Sequence, residues 1–285
     1  MKITATAITG FLGSGKTTMI LKILQNPNGW RIALIINEFG DVGVDGEVLK
    51  GCGEAVCRQE DVIELANGCI CCTVADDFAP AMRKLLDRPI PFDHIVIETS
   101  GLALPQPLVR AFSWPEISSR VTVDGVVAVV DGKANAEGRY ADDEETIQAM
   151  RKADPNLEHE NPIEELFNDQ LNCADLVIIN KTDLLNAAEA SGLTQKLETK
   201  VRKGTRILHS QHGKLDVSVL LGLNAQSEAD MANRLSTHEM EGEEQHDHDD
   251  FVSFTVALDD VKSKEALLGR IASVTQDSTL LWLKA

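Results

Sequence analysis

Apolar runs of strand length alternate with amphipathic stretches of helix length over the first 223 residues. Ile3–Ile8 is apolar enough for a buried strand, and Thr18–Leu24 spaces its apolar residues as a helix does. A turn at Asn26-Pro27-Asn28-Gly29 leads into a second buried strand over Arg31–Ile36. Asp61–Leu65 is a short strand-like run, and Val74–Leu86 reads as a helix. Phe92 opens an apolar strand that ends in Glu98, and Pro105 and Pro107 open the next helix. Val121–Val130 is a long buried strand with Asp131-Gly132 as its turn. Then come a helix over Ile163–Cys173, a strand over Asp175–Ile179, a helix over Thr194–Lys203, a strand over Arg206–Leu208 and a short helix over Leu215–Leu223. Near-continuous apolar strands interleaved with helices predict an α/β fold, a doubly wound and mostly parallel sheet covered on both faces.

Two stretches break the pattern. Lys133–Pro162 is polar and predicts an inserted loop that could hold one short helix; a lone His159 there reads as a solvated side chain. Residues 224–250 read as an acidic, His-containing linker, in which His246 and His248 could buffer metal weakly. Beyond it, Phe251–Leu258, Lys262–Val274 and Thr279–Leu283 predict strand, helix and strand, a small C-terminal α/β unit at 251–285 that looks truncated. The expected organisation is therefore a domain at 1–223, a linker at 224–250 and a partial βαβ domain at 251–285.

Composition narrows the function. The 285 residues carry a formal net charge of -18, which argues against nucleic-acid and anionic-membrane partners. No run is long enough to span a bilayer. The N-terminus runs directly into a strand, which predicts no secretory leader and a cytoplasmic location. In that compartment closely spaced cysteines among the six predict metal binding or redox chemistry rather than a disulfide framework.

The chemistry starts between the first strand and the first helix. Gly10-Phe11-Leu12-Gly13-Ser14-Gly15-Lys16-Thr17 matches G-x-x-x-x-G-K-[ST] at every fixed position. Glycines let successive backbone N–H groups turn toward one anion, and the helix N-terminus adds its own donors. Gly13, Ser14, Gly15, Lys16, Thr17 and Thr18 are the expected phosphate contacts. Lys16 would reach the β- and γ-phosphates, and the Thr17 hydroxyl would ligate Mg²⁺. The acid that closes the fourth strand, Glu98 in Glu98-Thr99-Ser100-Gly101, is the expected Mg²⁺ or water-orienting carboxylate. Asn180-Lys181-Thr182-Asp183, at the end of the Asp175–Ile179 strand, matches N-K-x-D. Asp183 can accept from the N1–H and the amine of guanine. Adenine would leave it unpaired at roughly 1–3 kcal/mol, which selects GTP over ATP. By position, His209–Gly213 would lie beside the base.

Two further loops carry candidate ligands. Asn37–Gly46 is Gly-rich and acidic; it reads either as a switch loop, with Glu38, Asp41 or Asp45 facing Mg²⁺, water or a second metal, or as a solvated loop. Cys69, Cys71 and Cys72 put three thiols within four residues, after a glycine and before a helix. In an extended segment Cys69 and Cys71 project to one side, and a helix N-terminus favours the thiolate. Core filling explains such clustering poorly, so the three predict a metal site with a fourth position open. Cys52 and Cys57 could form a second metal site or a redox pair but are more simply read as incidental or auxiliary thiols, and Cys173 as a core thiol.

With the phosphate loop, NEFG-x-x-G-x-D at 37–45, GCICC at 68–72, ETSG at 98–101 and NKTD at 180–183 in order, the sequence resembles the CobW family of metal-handling P-loop GTPases. ELANGCICCTVADDF and NPIEELFNDQLNCADLVIINKTDLL resemble its branch associated with aerobic cobalamin synthesis. The resemblance implies a slow GTPase that binds Co²⁺ through Cys69, Cys71 and Cys72 in the Mg²⁺-GTP state and releases it on hydrolysis. Lys16, Glu98 and Glu38 would carry the catalysis, and a metal-receiving protein at the cobaltochelatase step would be the partner. Family members carry a fuller C-terminal domain than 251–285. Thiolates themselves rank Zn²⁺ above Co²⁺, so a zinc chaperone of the same family is the alternative cargo reading. A GTPase with a structural zinc site is a further alternative, and the sequence leaves a homodimer open.

Overall fold

The computed structural model describes residues 2–37, 62–65, 78–141, 143, 147 and 162–241. The chain divides into two units, Met1–Gly242 and Glu243–Ala285, and the second lies outside the described residues. Seven strands form one sheet: β1 (Ile3–Thr9), β2 (Ile32–Asn37), β3 (Val62–Leu65), β4 (His94–Glu98), β5 (Val121–Asp131), β6 (Leu176–Asn180) and β7 (Arg206–His209). Their order is β3-β2-β4-β1-β5-β6-β7, and every pair is parallel.

The strands are apolar on both faces because both faces are covered. Ile95 and Ile97 of β4 enter one core with Ala5, Ala7, Ala33 and Ile35, whereas Val96 enters the opposite core with Ile8, Leu34 and Ile36. Helix α1 (Lys16–Gln25) buries Met19, Ile20, Ile23 and Leu24, the helical spacing seen in the sequence. Helix α2 (Ala79–Leu86) packs Met82 and Leu85 into the first core. Helices α3 (Pro105–Ala111) and α4 (Pro115–Ser118) follow β4 and open on prolines.

Three local expectations need correction. Asp131-Gly132 is no simple turn: the Asp131 carboxylate accepts from Ala134 N–H and caps helix α5 (Gly132–Ala136). Helix α6 (Ile163–Cys173) has its expected bounds, but the next helix, α7, runs over Ala187–Glu198 rather than 194–203. Asn186 and Glu189 form a capping box that starts it early, and Gly192 inside it obscured the pattern. The last short helix shrinks to α8 (Val217–Leu220), capped by Asp216.

The boundary drawn at residue 223 falls inside the first unit. Residues 224–241, assigned by composition to the linker, are packed on it and end in helix α9 (Thr237–Glu241). Arg234 is 1% exposed; it donates to Asp175 Oδ1 at 2.6 Å and to the Cys173 carbonyl at 2.6 Å. Burial pushes the Asp175 carboxyl up, but donors from Arg234, Ser227 and Val126 N–H outweigh it and hold it below the usual range. Asp124, in a bulge where β1 and β5 slip register, accepts from the N–H groups of Gly222, Leu223 and Asn224. Charged side chains distant in sequence hold this segment, Arg234 on Asp175 and Asp124 on three backbone N–H groups, and composition does not display them.

No helix among the described residues is long and apolar enough to cross a membrane.

Candidate functional site

In an all-parallel sheet the carboxyl ends of all strands share one edge. Here β4, β1, β5 and β6 are four consecutive strands, so their ends bring the 10–17 loop, Glu98, Asp131 and Asn180 to one stretch of that edge.

The loop after β1 is shaped by two glycines with positive φ and close neighbours. Gly15 has φ +98°, and a Cβ there would lie 2.3 Å from the Asn180 amide nitrogen. Gly10 has φ +135°, and a Cβ would lie 2.2 Å from the Val129 carbonyl oxygen. Gly15 is the N-cap of α1, and no side chain caps the helix, so its first N–H groups face the loop's hollow. Lys16 is 8% exposed and curls over the loop, donating to the Gly10 carbonyl at 2.7 Å and the Phe11 carbonyl at 3.4 Å.

Thr17, in the first turn of α1, donates its hydroxyl to Glu98 Oε1 at 2.8 Å. Glu98 is buried, and its other oxygen, Oε2, has no hydrogen-bond partner among the described residues; nor has the buried Ser14 hydroxyl. Burial pushes the Glu98 carboxyl up, opposed by Lys16 and by the Thr17 hydroxyl. A hydroxyl, a carboxylate oxygen with spare lone pairs and a lysine beside an uncapped helix end form a donor set that fits a divalent cation together with phosphate oxygens. Gly101 follows closely; a Cβ there would lie 2.8 Å from Leu12 N. Gln170 of α6 braces this turn by donating to the Gly101 and Ala103 carbonyls at 3.1 and 3.2 Å.

Of the N-K-x-D residues, Asn180 uses its side chain on the backbone of two other loops. Its amide donates to the Ser14 carbonyl at 2.9 Å and accepts from Gly213 N–H at 3.0 Å, so it ties the phosphate loop to the loop after β7. Lys181 sits in a left-handed bend, φ 58°, with its ammonium on Asp131 at 2.5 Å. Thr182 donates twice to the Ser210 carbonyl. Asp183 lies 3.6 Å from the His212 imidazole, and Lys22 donates to the His212 carbonyl. The expected base-flanking loop at 209–213 is thus joined to the N-K-x-D turn by three separate residues. Thr18 is exposed on the first turn of α1, and Gly13 is exposed in the loop.

The structure therefore brings together Gly13, Ser14, Gly15, Lys16, Thr17, Glu98, Asn180, Lys181 and Asp183. Glu38, Asp41, Asp45, Cys52, Cys57, Cys69, Cys71, Cys72, His159, His246 and His248 lie outside the described residues. Cys173 is a free, fully buried thiol, and burial pushes it up to about 12, which makes it inert core. Sequence reasoning missed Asp131 and Gln170. Neither belongs to a contiguous motif; each acts on one through space.

Residues 4–209 match the model of the CobW/HypB/UreG nucleotide-binding domain. Over 99% of its length the chain is 55% identical to a protein named zinc chaperone CobW from Sinorhizobium sp, of which it covers 80%. It is 47% identical to the zinc chaperone CobW of Pseudomonas aeruginosa, again over 99% of its length and 76% of that relative. The crystal structure of Zn(II)-bound YjiA GTPase from E. coli superposes with a TM-score of 0.50 at 29% identity, covering 79% of this chain and 62% of that one. With the phosphate loop, its lysine, the Thr17–Glu98 pair and the N-K-x-D turn assembled at one sheet edge, the chain belongs to the CobW/HypB/UreG family, in its CobW branch of P-loop GTPase metallochaperones.

Proposed function

We propose that the chain hydrolyses GTP to GDP and phosphate and uses the nucleotide to gate a transition-metal cargo, Zn²⁺, held by Cys69, Cys71 and Cys72. The observation that carries the nucleotide half is the Thr17–Glu98 pair beneath an uncapped helix N-terminus, with one Glu98 oxygen still able to accept. Lys16 leaves the Gly10 carbonyl for the β- and γ-phosphates, and Asp183 accepts from guanine. Thr17 and Glu98 would hold Mg²⁺, which supplies charge neutralisation at the phosphates when bound. Glu38 stays the second candidate for orienting water.

The cargo reading moves from cobalt to zinc. The sequence resemblance implied cobalt, but the relatives matched over 99% of the chain are named zinc chaperones. Thiolates also prefer Zn²⁺ to Co²⁺ on chemical grounds. Metal would bind with Mg²⁺-GTP and leave after hydrolysis; coupling of about 1–3 kcal/mol changes affinity by roughly 5–150-fold. The acceptor is a zinc-requiring protein of the same compartment.

The test is a competition titration of Zn²⁺ and Co²⁺ with Mg²⁺-GTP, with Mg²⁺-GDP and without nucleotide, on the native chain and on a C69S/C71S/C72S variant. Zinc binding that tightens only with GTP, and disappears in the variant, supports the proposal. Equal affinity in all three states points instead to a structural metal site. Preferential tightening for Co²⁺ would restore the cobalt reading.

A further inference from the structure

Asp131 closes β5 and stands in register with Asn180 of β6. Its side chain is fully buried, yet its two oxygens do different things. Oδ1 accepts from Ala134 N–H at 3.0 Å and caps α5. Oδ2 takes the Lys181 ammonium at 2.5 Å, and Lys181 is only 24% exposed. A cap alone does not explain this choice, because asparagine or serine caps a helix as well as aspartate. The second oxygen faces the cation of the residue that follows β6, whose left-handed bend turns the chain toward Asp183. Few L-residues adopt that bend, so it persists only where its surroundings hold it.

We infer that Asp131 is a positioning residue for the guanine subsite: it fixes the Lys181 ammonium, and with it the bend that presents Asp183, before nucleotide arrives. The inference rests on the GTP reading above. Gly132 adds a second constraint on the same bend, since a Cβ there would lie 2.6 Å from the Asn180 carbonyl oxygen. The ends of β5 and β6 are thereby pressed together where the base would sit. A subsite ordered in advance spares the nucleotide the ordering cost on binding. Among the described residues the Asp131 carboxylate bonds Lys181 and Ala134 N–H and no residue of the phosphate loop. Its loss should therefore weaken GTP and GDP by the same factor and leave turnover at saturating GTP unchanged.

The experiment uses the full chain and Asp131→Asn, which keeps the helix cap but removes the charge that faces Lys181. Mant-GDP and mant-GTP affinities and steady-state GTPase kinetics are measured for the native chain, D131N, K181A and the double variant, with thermal melts as a check on folding. D131N should weaken both nucleotides about tenfold, raise KM and spare kcat, and it should cost nothing further in the K181A background. Native affinity in D131N, or an undiminished loss in the K181A background, overturns the inference. A native chain that binds no guanine nucleotide overturns the GTP reading and this inference together; GDP binding that D131N leaves intact overturns only the second.

Discussion

His94 opens β4, the strand that ends in Glu98, and it is completely buried. Its Nδ1 lies 2.7 Å from the Thr4 hydroxyl and its Nε2 2.8 Å from the Thr6 hydroxyl, and the Trp30 ring is 5.7 Å away. Burial lowers its pKa from 6.5 to about 4, partly opposed by Asp124. Between these values the unfolded chain binds a proton that the folded chain refuses. Stability from neutral His94 is therefore fully present above pH 6.5 and is lost as pH falls toward 4. The span corresponds to about 3 kcal/mol, with a slope of about 1.4 kcal/mol per pH unit inside the window. That is a large part of the roughly 5–15 kcal/mol typical of a domain. The perturbation is His94→Gln, which keeps a hydrogen-bonding side chain between Thr4 and Thr6 and does not titrate. Urea unfolding would be followed by tryptophan fluorescence between pH 4 and 7.5, with Trp282→Phe in both proteins so that Trp30 and Trp114 report the first unit. Carboxylates common to both proteins cancel in the difference. The native chain should lose about 3 kcal/mol more than the variant on going from pH 7 to 4. Parallel stability curves would refute the assignment of a buried neutral histidine.

Thr17→Ala removes the hydroxyl that joins Glu98; GTP turnover should fall about a hundredfold or more while the melting temperature changes little, measured by phosphate release and calorimetry. Arg234→Ala removes the shorter of the two arginine contacts to half-buried Asp175, with Arg202 remaining at 3.3 Å, and should cost about 1–3 kcal/mol in denaturant unfolding; an unchanged unfolding midpoint would refute the role given to this pair. Cys173 should resist alkylation at pH 8 in the native chain and react only after unfolding, as mapped by mass spectrometry, because its thiol is buried and pushed up to about 12.

What could be read from the sequence follows a physical division. The phosphate loop, the acid at the end of β4 and the N-K-x-D turn are contiguous runs whose residue types are dictated by one ligand, so they stand out in one dimension. The strands were legible because burial on both faces makes their runs apolar, as in Ile95-Val96-Ile97 at the centre of β4, a strand buried throughout. Residues that act on those motifs from elsewhere in the chain were not legible. Gln170 braces the Gly101 turn from 69 positions away, and Asp131 meets Lys181 from 50 positions away; neither has a local pattern that marks it. Composition misled at 224–241, where charge suggested a solvated linker. There the charges are spent internally, Arg234 on Asp175, Arg202 on Asp230 and Arg110 on Glu239.

The sheet order bears on how nucleotide and metal could be coupled. Every strand pair is parallel, so β2 ends at Asn37 and β3 at Leu65 on the edge that carries the phosphate loop. The register aligns Ile8 of β1 with Glu98 of β4, and Glu98 in turn with Ile36 of β2. Glu38 follows β2 by one residue in sequence, and Cys69 follows β3 by four. From β1 to β3 is three strand spacings, about 14 Å. The strand that separates the phosphate loop from these two departures is β4, which ends in Glu98. A change in what Glu98 binds therefore arises one strand from the departure of the Glu38 loop and two from that of the cysteine run. Coupling of about 1–3 kcal/mol does not require a long relay across such a distance. It requires that the chain leaving β2 and β3 have two arrangements that Mg²⁺-GTP and metal bias in the same direction. Glu98→Gln tests this: if β4 is the link, metal affinity in the GTP state should fall toward the nucleotide-free value even when GTP still saturates the protein.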